Sequence, residues 1–126
     1  MAESSGKGFV DFLGVRNLTA EDGRARLELD ATEEHLNSAG GVHGGVLATL
    51  VDTAMGRAVR SRLVEDDGSA TSQLTVTYLR PGKPGTLVVT AEVRKQGEHL
   101  TICEADVEQD GRALVHAIAT FAVLHT

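Results

Sequence analysis

Five residues between positions 37 and 52 could together act on a carbonyl group. They are Asn37, His43, Gly44, Gly45 and Asp52. The first backbone N–H groups of a helix lack partners within it and lie at the positive end of its dipole. If a helix begins at Gly44, no side chain screens its N–H, which can donate to a carbonyl oxygen as in an oxyanion hole. Taken alone, the glycines are more typical of a tight loop.

Asp52 brings an acid into the same stretch. A carboxylate within a buried helix is costly unless it is paired, hydrogen-bonded or used in chemistry. A solvated helix edge is the ordinary explanation of a lone acid, but Asp52 shares its face with the small residues Gly45, Thr49 and Gly56. Such a face lets a backbone or a thin ligand approach, so Gly45 and Thr49 are candidate substrate contacts. Asp52 is then a candidate general base or nucleophile.

The spacing of Gly44 and Asp52 determines whether one chain can use both residues in the same reaction. They are eight residues apart, which is about 12 Å along one helix. Both cannot reach one carbonyl carbon. If both serve one reaction, the acid comes from a second copy whose helix runs antiparallel across a two-fold axis. A catalytic interpretation therefore predicts a homodimer with two equivalent sites.

The elements around this stretch follow from apolar periodicity. Residues 44–62 repeat apolar side chains at three- and four-residue spacing, which predicts a mostly buried helix. Alternating segments predict strands at 24–30, 71–79, 87–93 and 100–108, and the continuous apolar run 113–124 predicts a central strand buried on both faces. Residues 9–13 are expected to form one helical turn packed on the core. Short turns make the strands antiparallel, so we predict an α+β domain.

Composition limits the classes of protein. The 126 residues predict a single domain spanning 1–126, with 1–8 a frayed tail. The net charge of -6 argues against nucleic-acid binding, and the single cysteine excludes a disulfide within the chain and a zinc–cysteine site. No metal site is predicted. The chain shows neither a secretory signal nor a run long enough to cross a membrane, so we expect a cytoplasmic location and no membrane partner.

The pattern Asn-x5-His-Gly-Gly-x7-Asp resembles the hotdog-fold acyl-CoA thioesterases, above all the phenylacetate-degradation (PaaI-like) and 4-hydroxybenzoyl-CoA thioesterase group. The segment Thr77 to Pro81, Thr-Tyr-Leu-Arg-Pro, extends the similarity. The resemblance implies a long central helix wrapped by a five- to six-stranded antiparallel sheet. It also implies a continuous sheet across the dimer and association of dimers into a tetramer.

The resemblance also implies roles for individual residues. Gly44 N–H would polarise the thioester carbonyl, Asn37 would hold the water or the carbonyl, and His43 would brace the loop. Asp52 of the partner copy would be base or nucleophile. Hydrolysis of an aryl- or fatty-acyl-CoA would then need no cofactor, since coenzyme A is part of the substrate.

The roles of three further features are less certain from the sequence alone, and each has an alternative explanation. Thr71 lies where some relatives place a hydroxyl that assists water, although Ser72 would also serve; strand parity puts Thr71 on the polar face and favours it. Gly56 lies where some relatives carry a helper hydroxyl, which this chain lacks. Four basic residues are candidate contacts for the phosphates of coenzyme A, or simply solvated charges: Arg80, Lys83, Arg94 and Lys95.

Two other functions use the same fold. An enoyl-thioester hydratase or dehydratase needs a histidine paired with an acid near the helix start, and no acid lies beside His43 in the sequence. A non-catalytic acyl-CoA binding or sensing domain would keep the groove but would not require Asp52.

Overall fold

A computed structural model describes residues 8–125 of the chain. The prediction of a frayed tail at 1–8 therefore lies, except for Gly8, outside the described residues. The elements follow one another as α1 (Phe9–Leu13), β1 (Arg16–Glu21), β2 (Arg24–Ala31), a 3-10 turn (Glu33–His35), α2 (Gly44–Arg60), β3 (Gly68–Tyr78), β4 (Gly85–Gln96), β5 (Leu100–Gln109) and β6 (Arg112–Leu124).

The strands form one antiparallel sheet of six, in the order β1-β2-β4-β5-β6-β3. The predicted α+β class and the helix wrapped by a six-stranded sheet are confirmed. Asp22–Gly23 and Asp110–Gly111 take positive φ at both positions, which is the backbone of a two-residue hairpin turn. Strands β1 and β3 are left as the two edges of the sheet.

The core lies between α2 and the inner face of the sheet. Alternate residues of β2, β4 and β5 are buried, as the period-2 pattern predicted, and the apolar stripe of α2 packs on them. Seven residues of α2 are buried: Leu47, Leu50, Val51, Ala54, Met55, Ala58 and Val59. The helix is thus held along its whole length, which fixes where its first turn and Asp52 lie.

One prediction about burial was wrong and another was confirmed in part. Strand β6 is not buried on both faces, because a single helix covers only one side of the sheet; Ile118 on the outer face is 44% exposed. Helix α1 packs Val10 and Leu13 on the core, but Phe9 and Phe12 are exposed. A five-residue helix can direct only one side toward the core.

His125 ties the end of β6 to two neighbouring loops. Its Nε2 lies 2.9 Å from the Glu98 carbonyl oxygen and its Nδ1 lies 2.9 Å from Asp67 Oδ2. The Glu98 carbonyl and, next, the Asp67 carboxylate favour the imidazolium, so they raise the pKa of His125 above its ordinary value.

We predict a pH dependence from this contact. A raised pKa means that the folded state holds the proton more tightly, so the stabilisation is complete below the ordinary pKa and is lost as pH rises through the folded pKa. An NMR titration should give His125 a pKa above about 6.5, and Asp67→Asn should lower it. Asp66→Asn, in the same loop, is the control; an Asp67→Asn titration identical to wild type would contradict the assignment.

Candidate active site

His43 caps the start of α2. It is the N-cap residue, and its Nδ1 accepts a hydrogen bond of 2.8 Å from the Gly45 N–H. A Cβ at Gly45 would lie 3.0 Å from that same Nδ1, so glycine is what allows the imidazole to fold over the helix end. The imidazole thus occupies one of the unpaired donors of the first turn, which fits the bracing role expected for His43.

Gly44 keeps its N–H available. Within residues 8–125 no acceptor is bonded to it, whereas the next three N–H groups of α2 go to His43. The Gly44 carbonyl is held instead: Tyr78 Oη donates to it at 2.8 Å, and the Tyr78 ring lies 3.4 Å from the point where a Cβ would stand. Strand β3 therefore fixes the first residue of α2 through its carbonyl, while the Gly44 N–H has no bonded acceptor within residues 8–125.

Asn37 shapes the loop before the helix. Its Oδ1 accepts from the Ala39 and Gly41 N–H groups at 2.9 and 3.1 Å, and its backbone N–H donates to the Gly41 carbonyl at 2.7 Å. The side-chain amide oxygen of Asn37 is thus used in the turn. Asn37 and Gly44 both line a pocket of about 380 Å³. Asn37 and Gly44 are brought together, as the sequence predicted.

Asp52 meets Thr71 at the middle of α2. Thr71 Oγ1 donates to Asp52 Oδ1 at 2.7 Å, and Asp52 is half-buried. Ser72 Oγ donates instead to the Thr120 carbonyl at 3.1 Å. Thr71 is therefore the hydroxyl in contact with the acid.

The parity argument that favoured Thr71 was wrong. Thr71 pairs with Phe121 and Leu74 with Ala119, both of which are buried, so Thr71 and Leu74 lie on the same inner face. The reason is a bulge between Thr71 and Gln73, where Ser72 has no partner and the alternation is reversed. A strand without that bulge would point Thr71 away from Asp52.

The small-residue face of α2 is arranged as expected. Gly45 is exposed and Thr49 and Gly56 are half-buried. Thr49 Oγ1 donates to the Gly45 carbonyl at 2.8 Å, so its hydroxyl hydrogen is engaged within the helix. A Cβ at Gly56 would lie 3.6 Å from the Phe121 ring, which leaves room for a small side chain only.

Gly44 and Asp52 line separate pockets. The first pocket includes Asn37, Gly44 and Tyr78; the second, of about 330 Å³, includes Phe9, Thr49 and Asp52. We name these pockets the Gly44 half-site and the Asp52 half-site, because each would supply one part of the shared site that the sequence predicts.

The four basic residues do not lie together. Arg80 borders the Gly44 pocket, and Arg80 and Lys83 also share the neighbouring pocket with Arg112. Arg94 and Lys95 lie at the other end of β4, roughly 30 Å from Gly85 at 3.3 Å per residue. There Arg94 is paired with Glu92 at 2.6 Å and with Glu104 at 3.0 Å.

Three other features can be assessed in the described part of the chain: a reactive thiol, a metal-binding cluster and a membrane-spanning helix. Cys103 is buried in β5, and burial raises the pKa of its thiol to about 11, so it stays protonated at neutral pH. Among residues 8–125, no three His, Cys, Asp or Glu side chains come together as metal ligands would. No helix in the same range is both long and apolar enough to cross a membrane.

Comparison with known proteins places this geometry in a family. A model of the thioesterase superfamily matches residues 39–116, which include Gly44, Asp52 and Thr71. The chain belongs to the thioesterase superfamily. It is PaaI-like: the acyl-coenzyme A thioesterase PaaI of Escherichia coli is 33% identical over 96 residues, or 75% of this chain and 66% of that protein. Its solved structure superposes with a TM-score of 0.86 at 28% identity, covering 92% of this chain and 83% of that one.

Other thioesterase superfamily relatives agree. Human acyl-coenzyme A thioesterase 13 is 34% identical over 84% of this chain and 76% of its own length. A Halobacterium salinarum protein, named provisionally as an esterase, is 42% identical over 79% of this chain and 69% of its own. The structure of the conserved protein PA5202 of Pseudomonas aeruginosa superposes with a TM-score of 0.90 at 29% identity, covering 94% of each chain. These similarities confirm the hotdog fold.

Tyr78 is the residue of this thioesterase site that sequence reasoning missed. The sequence placed it only within the predicted strand 71–79, yet its hydroxyl donates to the Gly44 carbonyl and its ring packs against the glycine. One signal was available: the chain's single tyrosine lies in the segment 77–81 that carries the resemblance.

Proposed function

We propose that this thioesterase hydrolyses aryl- or fatty-acyl-CoA to free acid and CoA, at sites shared between two copies of the chain. The observation that carries the proposal is the free Gly44 N–H in one half-site and the Thr71-bonded carboxylate of Asp52 in the other. Two relatives are named acyl-coenzyme A thioesterases. A Bacillus halodurans structure that holds CoA superposes with a TM-score of 0.83 at 31% identity, covering 91% of this chain and 74% of that one.

The reaction follows from where charge develops. The Gly44 N–H, with the Asn37 amide beside it, donates to the carbonyl oxygen as it becomes an oxyanion. Asp52 removes a proton from water, whose oxygen attacks the carbonyl carbon; the C–S bond then breaks and CoA leaves as the thiolate. In the alternative, Asp52 itself attacks, forming an anhydride that water hydrolyses. In both mechanisms Thr71 donates to Oδ1 of Asp52, so Oδ2 is the oxygen that reacts.

A dimer supports this chemistry in two ways. The helical rise of about 12 Å prevents Gly44 and Asp52 of one chain from sharing a carbonyl. Strand β3, which carries Thr71 and Tyr78, is an edge of the sheet, where a second copy can pair with its backbone. The homodimer thus brings each Asp52 to the partner's Gly44. The tetramer implied by the resemblance stays a prediction.

Arg80 and Lys83 are the favoured contacts for the phosphates of CoA. They lie next to the Gly44 half-site, whereas Arg94 is already neutralised by two carboxylates. The hydratase alternative is weakened because His43 Nδ1 is engaged by Gly45 N–H, and no carboxylate in residues 8–125 contacts His43.

The test is steady-state release of CoA from a panel of acyl-CoA esters, together with light scattering. We expect saturable turnover by a dimer or a larger assembly. A protein that binds acyl-CoA without releasing CoA would support the sensing alternative, and a strictly monomeric, active protein would exclude the shared site.

We predict a smaller effect at Thr71. Thr71→Val removes the hydrogen bond that orients Asp52 while keeping the β-branched shape, so kcat should fall about tenfold with KM nearly unchanged. Thr71→Ser should restore most of kcat. Ser72→Ala, at the adjacent hydroxyl, is the control; equal losses in Thr71→Val and Ser72→Ala would contradict a specific role for Thr71.

A further inference from the structure

Loop 80–85, Arg80-Pro-Gly-Lys-Pro-Gly85, lies between β3 and the start of β4. Its two prolines lack the N–H that a strand of the sheet would use. The loop is nevertheless attached to its neighbours at both ends. The Gly82 carbonyl accepts from the Val42 N–H at 3.0 Å, and Arg80 Nη1 donates to the Ala113 carbonyl at 2.7 Å. These bonds join the loop to the segment before α2 and to β6.

Gln109, the last residue of β5, makes a further attachment. It is 6% exposed, and it ends the inward-facing series of β5 in which Cys103, Ala105 and Val107 are apolar. Its Oε1 accepts from the Lys83 N–H at 2.9 Å, and its Nε2 donates to the Lys83 carbonyl at 2.7 Å. A buried amide is costly unless it is hydrogen-bonded. Here the side-chain amide pairs with both backbone groups of Lys83, as a neighbouring strand would.

Lys83 combines a fixed backbone with an uncommitted charge. Its ammonium forms no hydrogen bond or ion pair with any residue of the range 8–125. It lines a pocket of about 300 Å³ with Arg80 and Arg112, and the one acid among the described lining residues is Asp110. Three cations against one carboxylate favour a phosphate group. Because the lysine side chain is flexible, the position of the Lys83 backbone decides where its ammonium can reach.

We propose that Gln109 is a positioning residue for the binding of CoA: it holds the backbone of Lys83 so that the Lys83 ammonium meets a phosphate. This rests on the proposed function, which places the phosphates at Arg80 and Lys83. Arg80 is attached separately through Ala113, so Gln109 acts on one of the two cations. Gln109 is buried and acts through Lys83 rather than on the substrate. Its substitution therefore weakens CoA binding while the reacting groups stay in place.

The test is a double-mutant cycle on the Kd of CoA, measured by calorimetry. Lys83→Met removes the ammonium but keeps the backbone groups that Gln109 binds. Gln109→Met keeps the side-chain length, matches the apolar series of β5 and removes both hydrogen bonds. Each variant should raise the Kd about tenfold, the order expected for one hydrogen bond to a charged group. The double variant should bind no more weakly than either single variant, because both changes remove the same contact.

Gln96→Met is the matched control for Gln109→Met. It makes the same chemical change at the exposed last residue of β4, at the opposite end of that strand from loop 80–85. It should bind CoA as wild type does. If Gln109→Met does not fold, as judged by circular dichroism, Gln109→Glu takes its place in the cycle. It keeps the length and the acceptor for the Lys83 N–H but lacks the donor to the Lys83 carbonyl, so its Kd should also rise.

Turnover separates positioning from a general loss of structure. For the acyl-CoA that wild type hydrolyses fastest, Gln109→Met should raise KM about tenfold and change kcat by less than about twofold, because ground-state binding alone is lost. The thioester of the same acyl group with N-acetylcysteamine has no phosphate. Gln109→Met should therefore hydrolyse that thioester as efficiently as wild type does.

Three results would overturn the role of Gln109. They are a CoA affinity equal to wild type in the folded variant, additive losses in the double variant, or equal losses with the two thioesters. Failure here is distinct from failure of the proposed function. If wild type releases CoA and one of these results is found, the positioning role alone is wrong. If wild type hydrolyses neither thioester, the reaction is wrong, whatever the cycle on CoA binding gives.

Discussion

Asp52→Ala is expected to lower kcat for acyl-CoA hydrolysis by about 10³-fold, which is within the usual contribution of a well-placed general base. The carboxylate is half-buried, lines a pocket and is oriented by Thr71. Asp52→Asn should lose as much, because the amide keeps the shape and can still accept from Thr71 but cannot take a proton or form an anhydride. Binding of CoA should be nearly unchanged, since its phosphates meet the Gly44 side.

The measurement is kcat from CoA release, with the dissociation constant of CoA measured by calorimetry. Asp66→Ala is the matched control, because it removes an exposed carboxylate from the loop after α2, outside the pocket that Asp52 lines. Equal turnover by wild type and Asp52→Ala would remove Asp52 from the mechanism. A single turnover in ¹⁸O-labelled water separates the two roles. Hydrolysis of an anhydride at the Asp52 carbonyl carbon leaves the label in the Asp52 side chain and the product acid unlabelled, whereas base catalysis puts the label into the product acid.

Gly44→Pro is expected to lower kcat by about 10² to 10³-fold, the cost of losing one oxyanion donor. Proline removes the N–H but is well accepted at the first position of a helix. The preceding residue, His43, already has φ -58° and ψ 133°, which is the extended backbone that a following proline requires.

Gly44→Ala is the matched control for that variant. It keeps the N–H, and its Cβ would meet the Tyr78 hydroxyl at 3.3 Å, a tight contact that a small shift of the ring relieves. Gly44→Ala should therefore lose far less kcat than Gly44→Pro. Equal losses would mean that crowding against Tyr78, rather than loss of the donor, is responsible.

Mixing the two inactive variants tests the shared site. A dimer of one Asp52→Ala chain and one Gly44→Pro chain has one site with both Gly44 N–H and Asp52 intact. Random exchange at equal amounts should restore about one quarter of wild-type activity, since half of the dimers are mixed and each has one of two sites. No recovery after demonstrated subunit exchange would mean that both groups act within one chain.

Local patterns in the sequence were sufficient for α2, for strands β2 to β6 and for choosing the residues proposed at the centre of the site. The change from a two-residue to a three- and four-residue period located α2, and Asp-Gly at 110–111 located a hairpin. Asn37, Gly44 and Asp52 were found as chemical types at a helix start and on a small-residue face, and the rise per residue was enough to separate them into two half-sites. All these features depend on neighbours within a few residues along the chain.

The tertiary structure alone decided which side chains meet across elements. Thr71 reaches Asp52 because a bulge at Ser72 reverses the alternation of β3, and a bulge depends on pairing with β6, nearly fifty residues away. Tyr78 covers Gly44, and Phe9 borders the Asp52 pocket, because the sheet wraps around α2. The same wrapping leaves the outer face of β6 open, which its apolar composition did not predict. Sequence periodicity sets the direction of a side chain within its own element; long-range packing sets what it touches there.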